Sequence, residues 1–282
     1  MDKEILQQFI DNALKEDIGD GDHTSLSTIP QASTGKAKLL IKEDGIIAGI
    51  DFAMEVFKTV DPTLQVELLI KDGTPVKYGD IAFYVTGSSQ SILIAERLVL
   101  NTMQRMSGIA TTTNRIVKLI SSTKTKVLDT RKTTPNLRFL EKQAVKIGGG
   151  VNHRFGLYDM ILIKDNHVDY AGGISEAINA ALKYLKDKNL NLQIEIEVRS
   201  INELKEVMGV GHVDRILLDN FNYSQLKEAV ALINGKFITE ASGGITEDTV
   251  LDYAKCGVDY VSMGALTHSV KSLDMSLKAV IN

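Results

Sequence analysis

The chain has 282 residues, of which 44% are hydrophobic and 24% charged. That is ordinary globular usage, and it excludes a disordered chain. The net charge of −4 speaks against a general nucleic-acid binder, whose footprint would be a basic domain. A single cysteine, Cys256, excludes an intrachain disulfide framework and a cysteine-built zinc site. No apolar run approaches the ~18 residues that span a bilayer, and the amphipathic N-terminus lacks a signal-peptide core. The expectation is a cytoplasmic protein without membrane or nucleic-acid partners.

In chain order, residues 3–16 carry Ile5, Leu6, Phe9, Ile10 and Ala13 at helical spacing. The Gly- and Asp-rich stretch from Asp17 to Asp22 stops that helix, and the loop through Ser25 reads as a turn. Strands are expected at 35–41, 64–70 and 81–86, with a short helix at 51–60. From Ser89 to about Ser121 the pattern is helical, with an interruption expected near Gly108.

Beyond about residue 125 the rhythm changes. Apolar strands are expected at Lys126–Asp129, Met160–Ile163, Gln193–Val198, Arg215–Leu218, Phe237–Glu240 and Tyr260–Met263. Most intervals are helical, as in 174–187, 201–207, 224–233 and 246–255. Alternating strand and helix implies parallel strands, because a parallel crossover needs a connection of helix length. Glu197, Asp219, Ser242 and Gly264 follow one another at steps of 22, 23 and 22 residues, each at a strand end. In a parallel barrel all those ends open on one face, where active sites form. Residues from about 110 to 268 therefore read as a β/α barrel of fewer than eight strands. An open doubly wound sheet is the second choice, weakened by the lack of a G-x-G-x-x-G turn after the first strand.

Residues 130–167 hold seven formal positive charges against three negative ones, inside an acidic chain. Arg138, Lys142 and Lys146 are four apart and read as one solvated helix face. Arg131, Lys132, His153, Arg154 and Lys164 fall at strand ends and turns instead. Cations converging on a barrel mouth suit a polyanionic small molecule: the Arg fork matches a carboxylate, and Lys serves as a point charge on phosphate. Glu197 and Asp219 on neighbouring strand ends could hold Mg²⁺, accept from sugar hydroxyls, or stabilise a cationic transition state. Glu195 points to the same face as Glu197, which is preferred because it is nearer the strand end. Ser242-Gly243-Gly244 and Gly264-Ala265 let backbone N–H groups approach an anion, and the helix expected after Gly244 would add favourable partial charge. His268 is close enough in sequence to reach the same phosphate.

These residues lie in strings that resemble the quinolinate phosphoribosyltransferases, the carboxylating nicotinate-nucleotide pyrophosphorylases. The strings are "ERLVLNTMQRMSGIATTT", "DTRKTTPNLRFLEKQAVKIGGGVNHRFGLYDMILIKDNH", "IEIEV", "LLDN", "EASGGI" and "GVDYVSMGALTHS". The resemblance implies an N-terminal α/β sandwich domain over residues 1–110, joined by the C-terminal segment 270–282. It implies an open, seven-stranded β/α barrel over 111–269. It also implies a homodimer with shared active sites, in which Arg97 comes from the neighbouring subunit.

The implied reaction joins quinolinate to 5-phosphoribosyl-1-pyrophosphate with Mg²⁺, releasing pyrophosphate and CO₂ and leaving nicotinate mononucleotide for de novo NAD synthesis. Lys132, Glu197 and Asp219 then fall in the catalytic group. Arg97, Arg131, His153, Arg154 and Lys164 would bind quinolinate. Thr130, Lys132, Lys164, Asn166, His167, Ser242, Gly243, Gly244, Gly264, Ala265 and His268 would bind the phosphoribosyl donor. Glu197 and Asp219 would meet the metal, directly or through substrate or water. Two other classes stay open on the residues alone. One is a barrel aldolase using Lys164 as a Schiff-base amine. The other is a carrier domain, suggested by "KDGTPVKYGDIAFYVTG" but lacking the motif around Lys77.

Overall fold

The first helix, α1 (Lys3–Ile18), buries Leu6 and Ile10 one turn apart and stops at Gly19, whose φ of 56° few other residues adopt freely. The computed structural model describes residues 3–280. Helix α2 (His23–Thr28) replaces the expected turn, because Asp22 caps it by accepting the Ser25 amide at 3.0 Å. Strand β1 (Thr34–Ile41), β2 (Gly45–Ile46), helix α3 (Ile50–Val60), β3 (Gln65–Leu68), β4 (Pro75–Val76) and β5 (Ile81–Ser88) follow. Helix α4 (Ser89–Leu119) runs without the break expected near Gly108. That glycine serves close approach instead: a Cβ there would collide with the Lys271 carbonyl.

The remaining elements are β6 (Lys126–Leu128), α5 (Arg138–Ile147), β7 (Ile161–Ile163), α6 (Asp165–Ala171), α7 (Ile174–Lys188), β8 (Ile194–Val198) and α8 (Ile201–Val210). Then come β9 (Arg215–Asp219), α9 (Tyr223–Ile233), β10 (Ile238–Ser242), α10 (Val250–Ala254), β11 (Tyr260–Ser262), α11 (Ala265–His268) and β12 (Met275–Ala279).

One compact unit draws on residues up to Asn114, on Thr134–Gly149 and on residues from Ser269 onward. Its sheet has the order β12-β1-β5-β3, with every pair antiparallel. Helices cover it to make an α/β sandwich. Phe57 of α3 meets Phe83 of β5 edge-on at 5.7 Å, and Phe9 of α1 packs tilted against Phe52 and edge-on against Phe139. Phe52, Phe57 and Phe83 are fully buried, each contributing roughly 1.5–3 kcal/mol by leaving water. The segment 134–149 lies inside the stretch expected to be barrel, yet it clusters with this unit. Its anchor is Glu141, which is buried, bonded by Arg105 Nε at 2.7 Å, and accepting the Thr134 amide. Lys142 on the same helix is also buried, so the expected solvated face does not include it.

The second unit comprises Arg115–Thr133 and Gly150–His268. Its six strands pair in parallel in the order β6-β11-β10-β9-β8-β7. The first strand thus pairs with the last, as barrel closure requires. A seventh strand is reduced to a single parallel bridge between Leu128 and Val151. Among the described residues no pairing joins Val151 to β7, which leaves the barrel open at that seam. Ile194, Ile196 and Val198 alternate with Glu195 and Glu197, so the apolar and acidic positions of β8 occupy opposite faces.

The strand entrances are tied by aspartates. Asp214 accepts the Ile194 amide at 2.7 Å, and Asp259 accepts both the amide and the hydroxyl of Thr239 at 2.9 and 2.8 Å. These bonds secure the end of the barrel opposite the exits of β8, β9 and β10, where function concentrates in such folds. Among the described residues, no helix is long and apolar enough to cross a membrane.

Candidate active site

A cavity of about 890 Å³ opens at the strand exits of the second unit. Glu197 ends β8, Asp219 ends β9 and Ser242 ends β10, and all three line it. Thr130, Arg131 and Lys132 enter after β6, His153 and Arg154 after the Val151 bridge, and Lys164 after β7. Gly243, Gly244, Gly264, Ala265 and His268 complete the rim on the far side. The sequence spacing thus becomes a ring of cations and carboxylates around one space.

Each part is held by local bonds. Buried Asp129 accepts the His153 amide at 2.8 Å, which ties the exit of β6 to the following cationic turn. Thr130 Oγ1 accepts the Lys132 amide at 3.0 Å, and Thr267 Oγ1 donates to the Lys132 carbonyl at 2.8 Å. Gly264 leaves room for the Lys132 stem, since a Cβ there would stand 2.8 Å from Lys132 Cδ and 3.1 Å from His268 Cδ2. Gly243 and Gly244 have φ of 103° and 59°. Glycine adopts such φ freely, and without side chains the backbone of this loop is open to close approach by an anion. The helix expected to start at 246 begins only at Val250, so the glycine backbone rather than a helix terminus forms this part of the rim.

The two carboxylates are unlike surface acids. Burial raises the Glu197 pKa; nearby Lys164, with Nζ at 3.5 Å, opposes this, and Asp219 adds to it. Burial also raises Asp219, while Asn220 opposes it by donating from Nδ2 at 2.6 Å. Arg154 is buried and donates from Nη1 to the Met160 carbonyl at 3.2 Å. Burial and then the like charge of Arg131 draw its pKa down. Such a site gains much from an anion that neutralises the paired guanidiniums.

Deeper in the barrel, Glu195 and Glu240 are fully buried. Burial and the neighbouring Glu195 push Glu240 up to about 7, against the pull of His153 and Arg215. Burial likewise raises Glu195.

Fourteen of the expected residues line the one cavity. Three stand elsewhere. Arg97 lies on α4 in the first unit, is 58% exposed, and pairs with Glu96 at 3.4 Å. Asn166 and His167 sit in the first turn of α6, outside the cavity lining; His167 Nδ1 accepts the Lys164 amide at 2.8 Å and fixes the turn that carries Lys164. Nine further residues line the cavity, Asn220 and Glu240 among them. Asn220 follows Asp219 directly, and its φ of 55° is one that Asn tolerates. Glu240 shares strand parity with Ser242, which was the available signal.

The family model described as quinolinate phosphoribosyl transferase, C-terminal domain, matches residues 109–278, and its N-terminal counterpart matches 22–107. The chain is 49% identical over 288 residues to "Quinolinate phosphoribosyltransferase [decarboxylating] 1" of Nicotiana glauca, covering 97% of this chain and 82% of that protein. It is 48% identical, with the same coverage, to the chloroplastic nicotinate-nucleotide pyrophosphorylase [carboxylating] of Arabidopsis thaliana. The solved nicotinate-nucleotide pyrophosphorylase of Francisella tularensis superposes with a TM-score of 0.93 at 40% identity, covering 99% of this chain and 98% of that one.

The chloroplastic relative, and mitochondrial ones such as that of Nicotiana tabacum, overturn the expectation of a cytoplasmic protein. One cysteine and an amphipathic N-terminus do not separate the cytoplasm from other reducing compartments.

Proposed function

This chain belongs to the quinolinate phosphoribosyl transferase family, and from that premise we infer that it transfers the phosphoribosyl group of 5-phosphoribosyl-1-pyrophosphate to quinolinate. The products are nicotinate mononucleotide, pyrophosphate and CO₂, a step of NAD biosynthesis. The observation that carries this reading is that a set of cations and two largely buried carboxylates line one cavity of about 890 Å³. That volume is in the ordinary range for small-molecule sites, roughly 300–1,000 Å³.

Arg131 and Arg154, two cations that raise each other's electrostatic cost, suit the adjacent carboxylates of quinolinate. Lys132 and Lys164 suit the pyrophosphate, and the Ser242-Gly243-Gly244 loop with Gly264, Ala265 and His268 suits the 5′-phosphate. The ring nitrogen forms a bond to ribose C1 while the C1–O bond breaks, its electron pair leaving with pyrophosphate. Positive charge grows on the ribose in that transition state. Glu197 and Asp219 stand where they would stabilise it. The ring nitrogen, now positive, then accommodates the electron pair left on the neighbouring carbon as CO₂ departs, and that carbon takes a proton. No side chain need act as a nucleophile, and orientation alone can supply roughly 7–11 kcal/mol of the barrier.

Mg²⁺ belongs to the same reading. Glu197 and Asp219 offer two hard oxygen donors on neighbouring strands, each pushed up by burial, so a divalent cation would offset their charge. It would neutralise charge on the pyrophosphate. A homodimer belongs to it too: Arg97 is more than half exposed in the first unit, available to the barrel of a second copy.

The test is direct. Purified protein with Mg²⁺, quinolinate and 5-phosphoribosyl-1-pyrophosphate should release pyrophosphate and CO₂, with nicotinate as the control acceptor. Absence of quinolinate-dependent release would overturn the assignment.

A further inference from the structure

Beneath the cavity the barrel holds charges that the transfer chemistry does not employ. Arg215, at the entrance of β9, brings Nη1 within 3.1 Å of Glu240 Oε2, and its guanidinium carbon lies 4.8 Å from the Tyr260 ring centre. Glu240 Oε2 stands 3.5 Å from His153 Nε2, and Glu195 Oε2 stands 2.9 Å from the same nitrogen. On the other side of the imidazole, Nδ1 accepts the Arg154 amide at 2.7 Å. A ring nitrogen that accepts an N–H carries no proton, so the proton of neutral His153 resides on Nε2, facing the acids.

Close polar approaches therefore run Arg215–Glu240–His153–Arg154, from the barrel entrance to the cavity wall. Among the described residues neither Glu195 oxygen has a hydrogen-bond partner, so the acids act on the imidazole by charge. The donor atoms of His153, Glu195 and Glu240 lie within 4.8 Å of one another, a spacing a metal ion could bridge. The guanidinium of Arg215 already supplies the cation. Buried charges of this kind contribute little to stability and can be replaced by apolar groups without loss. Their use must be sought elsewhere.

We propose that Glu195, Glu240 and Arg215 are positioning residues: they lock His153 in the Nε2–H tautomer, and through Nδ1 fix the Arg154 backbone so that the cationic clamp is preset for quinolinate. Only the last step rests on the substrate reading above. The tautomer lock rests on distances within the chain. Arg154 and Arg131 repel one another, so an unsupported pair would splay, and binding would then have to supply the ordering.

The experiment uses the full chain. ¹⁵N spectra of the imidazoles, with the His153 signal identified by its loss in His153→Asn, should show Nε2 protonated and Nδ1 bare. In Glu195→Leu, and in the doubly apolar Arg215→Leu/Glu240→Leu, that signal should move toward a tautomer mixture. The KM for quinolinate should rise about tenfold or more, with the KM for 5-phosphoribosyl-1-pyrophosphate and Tm close to wild type. Glu240→Gln, which keeps an acceptor, should be closer to wild type than the double variant. A protonated Nδ1 in the wild type, or folded variants with unchanged quinolinate KM, would overturn the proposal. So would a fall in kcat with both KM values unchanged. A wild type that ignores quinolinate would overturn the substrate reading and the clamp step together. It is told apart by the ring signal, which needs no substrate.

Discussion

Lys164 Nζ stands 3.5 Å from Glu197 Oε2, with the carboxylate nearly buried and the lysine half exposed. The pair joins the exit of β7 to that of β8. Burial is the larger influence on Glu197, and it raises the pKa despite the lysine. The charged form is thus held at a cost in the resting protein, as expected of a group kept for a cationic transition state.

Glu197→Gln is expected to lower kcat by about 10²–10³, the range for losing one preorganised electrostatic contact, with little change in quinolinate KM. Unchanged turnover would refute its role. The same variant should be more thermostable at alkaline pH. A carboxyl whose folded pKa is raised binds its proton more tightly in the folded state, so it opposes folding above that pKa and not below the unfolded value. The gain in Tm over wild type should therefore grow as pH rises through the raised carboxyl range, and vanish in acid. Calorimetry across pH measures it.

Asn220 orients Asp219 at 2.6 Å, and its side chain fills the place a Gly243 Cβ would take. Asn220→Gly keeps the left-handed backbone and removes the orienting amide. Asn220→Ala also strains it by roughly 1–2 kcal/mol. Both should raise the KM for 5-phosphoribosyl-1-pyrophosphate about tenfold, and only the alanine variant should lose stability beyond the side-chain loss. Steady-state kinetics and Tm separate the two effects.

Gly264→Ala places a methyl 2.8 Å from Lys132 Cδ. The flexible lysine stem yields, so the fold survives while the ammonium moves. kcat/KM should fall about tenfold with Tm nearly unchanged. A fully active variant would remove Lys132 from the pyrophosphate role.

Asp259 belongs to the opposite end of the barrel. Burial pushes its pKa up, but Lys124 at 2.8 Å and the Thr239 amide and hydroxyl outweigh that and hold it below the usual carboxylate range. Asp259→Ala should cost roughly 1–3 kcal/mol by leaving those donors unpaired, with kinetic constants unchanged. A depressed carboxyl stabilises the fold above its unfolded pKa and loses that contribution as pH falls through the folded one. The difference between variant and wild type should therefore shrink in acid. Chemical denaturation at two pH values tests both statements.

Arg97→Ala and Arg131→Ala subunits should each be inactive alone and regain activity when mixed, because one site of the mixed pair keeps both arginines. Heterodimers without activity would place Arg97 outside the site.

Much of the barrel was legible because its signal is periodic. Glu197, Asp219, Ser242 and Gly264 recur at nearly constant steps, and all four line the cavity. The single bridge at Val151 escaped notice, since one residue has no period to display. Lys142 was expected in solvent because spacing reveals a shared face but not what covers it; it is buried on a helix that clusters with the first unit. Glu240 was passed over as a strand residue among apolar neighbours, since its partner His153 is 87 residues earlier in the chain. Pairings of that kind arise from closure of the sheet, and no local pattern encodes them.

Strand β1 is hydrogen-bonded on one side to β5 and on the other to β12, with Ala37 opposite Ala279. The ribosome makes β1 before the barrel and β12 after it. Residues 115–133 and 150–268, which form the barrel, are complete before that final strand exists. The first unit is therefore closed only after the barrel residues are made, and β1 waits through their synthesis with an unpaired edge. An exposed edge is a template for the wrong neighbour. This protein's demand for chaperones should thus fall on the sheet of the first unit and end once β12 has paired with β1.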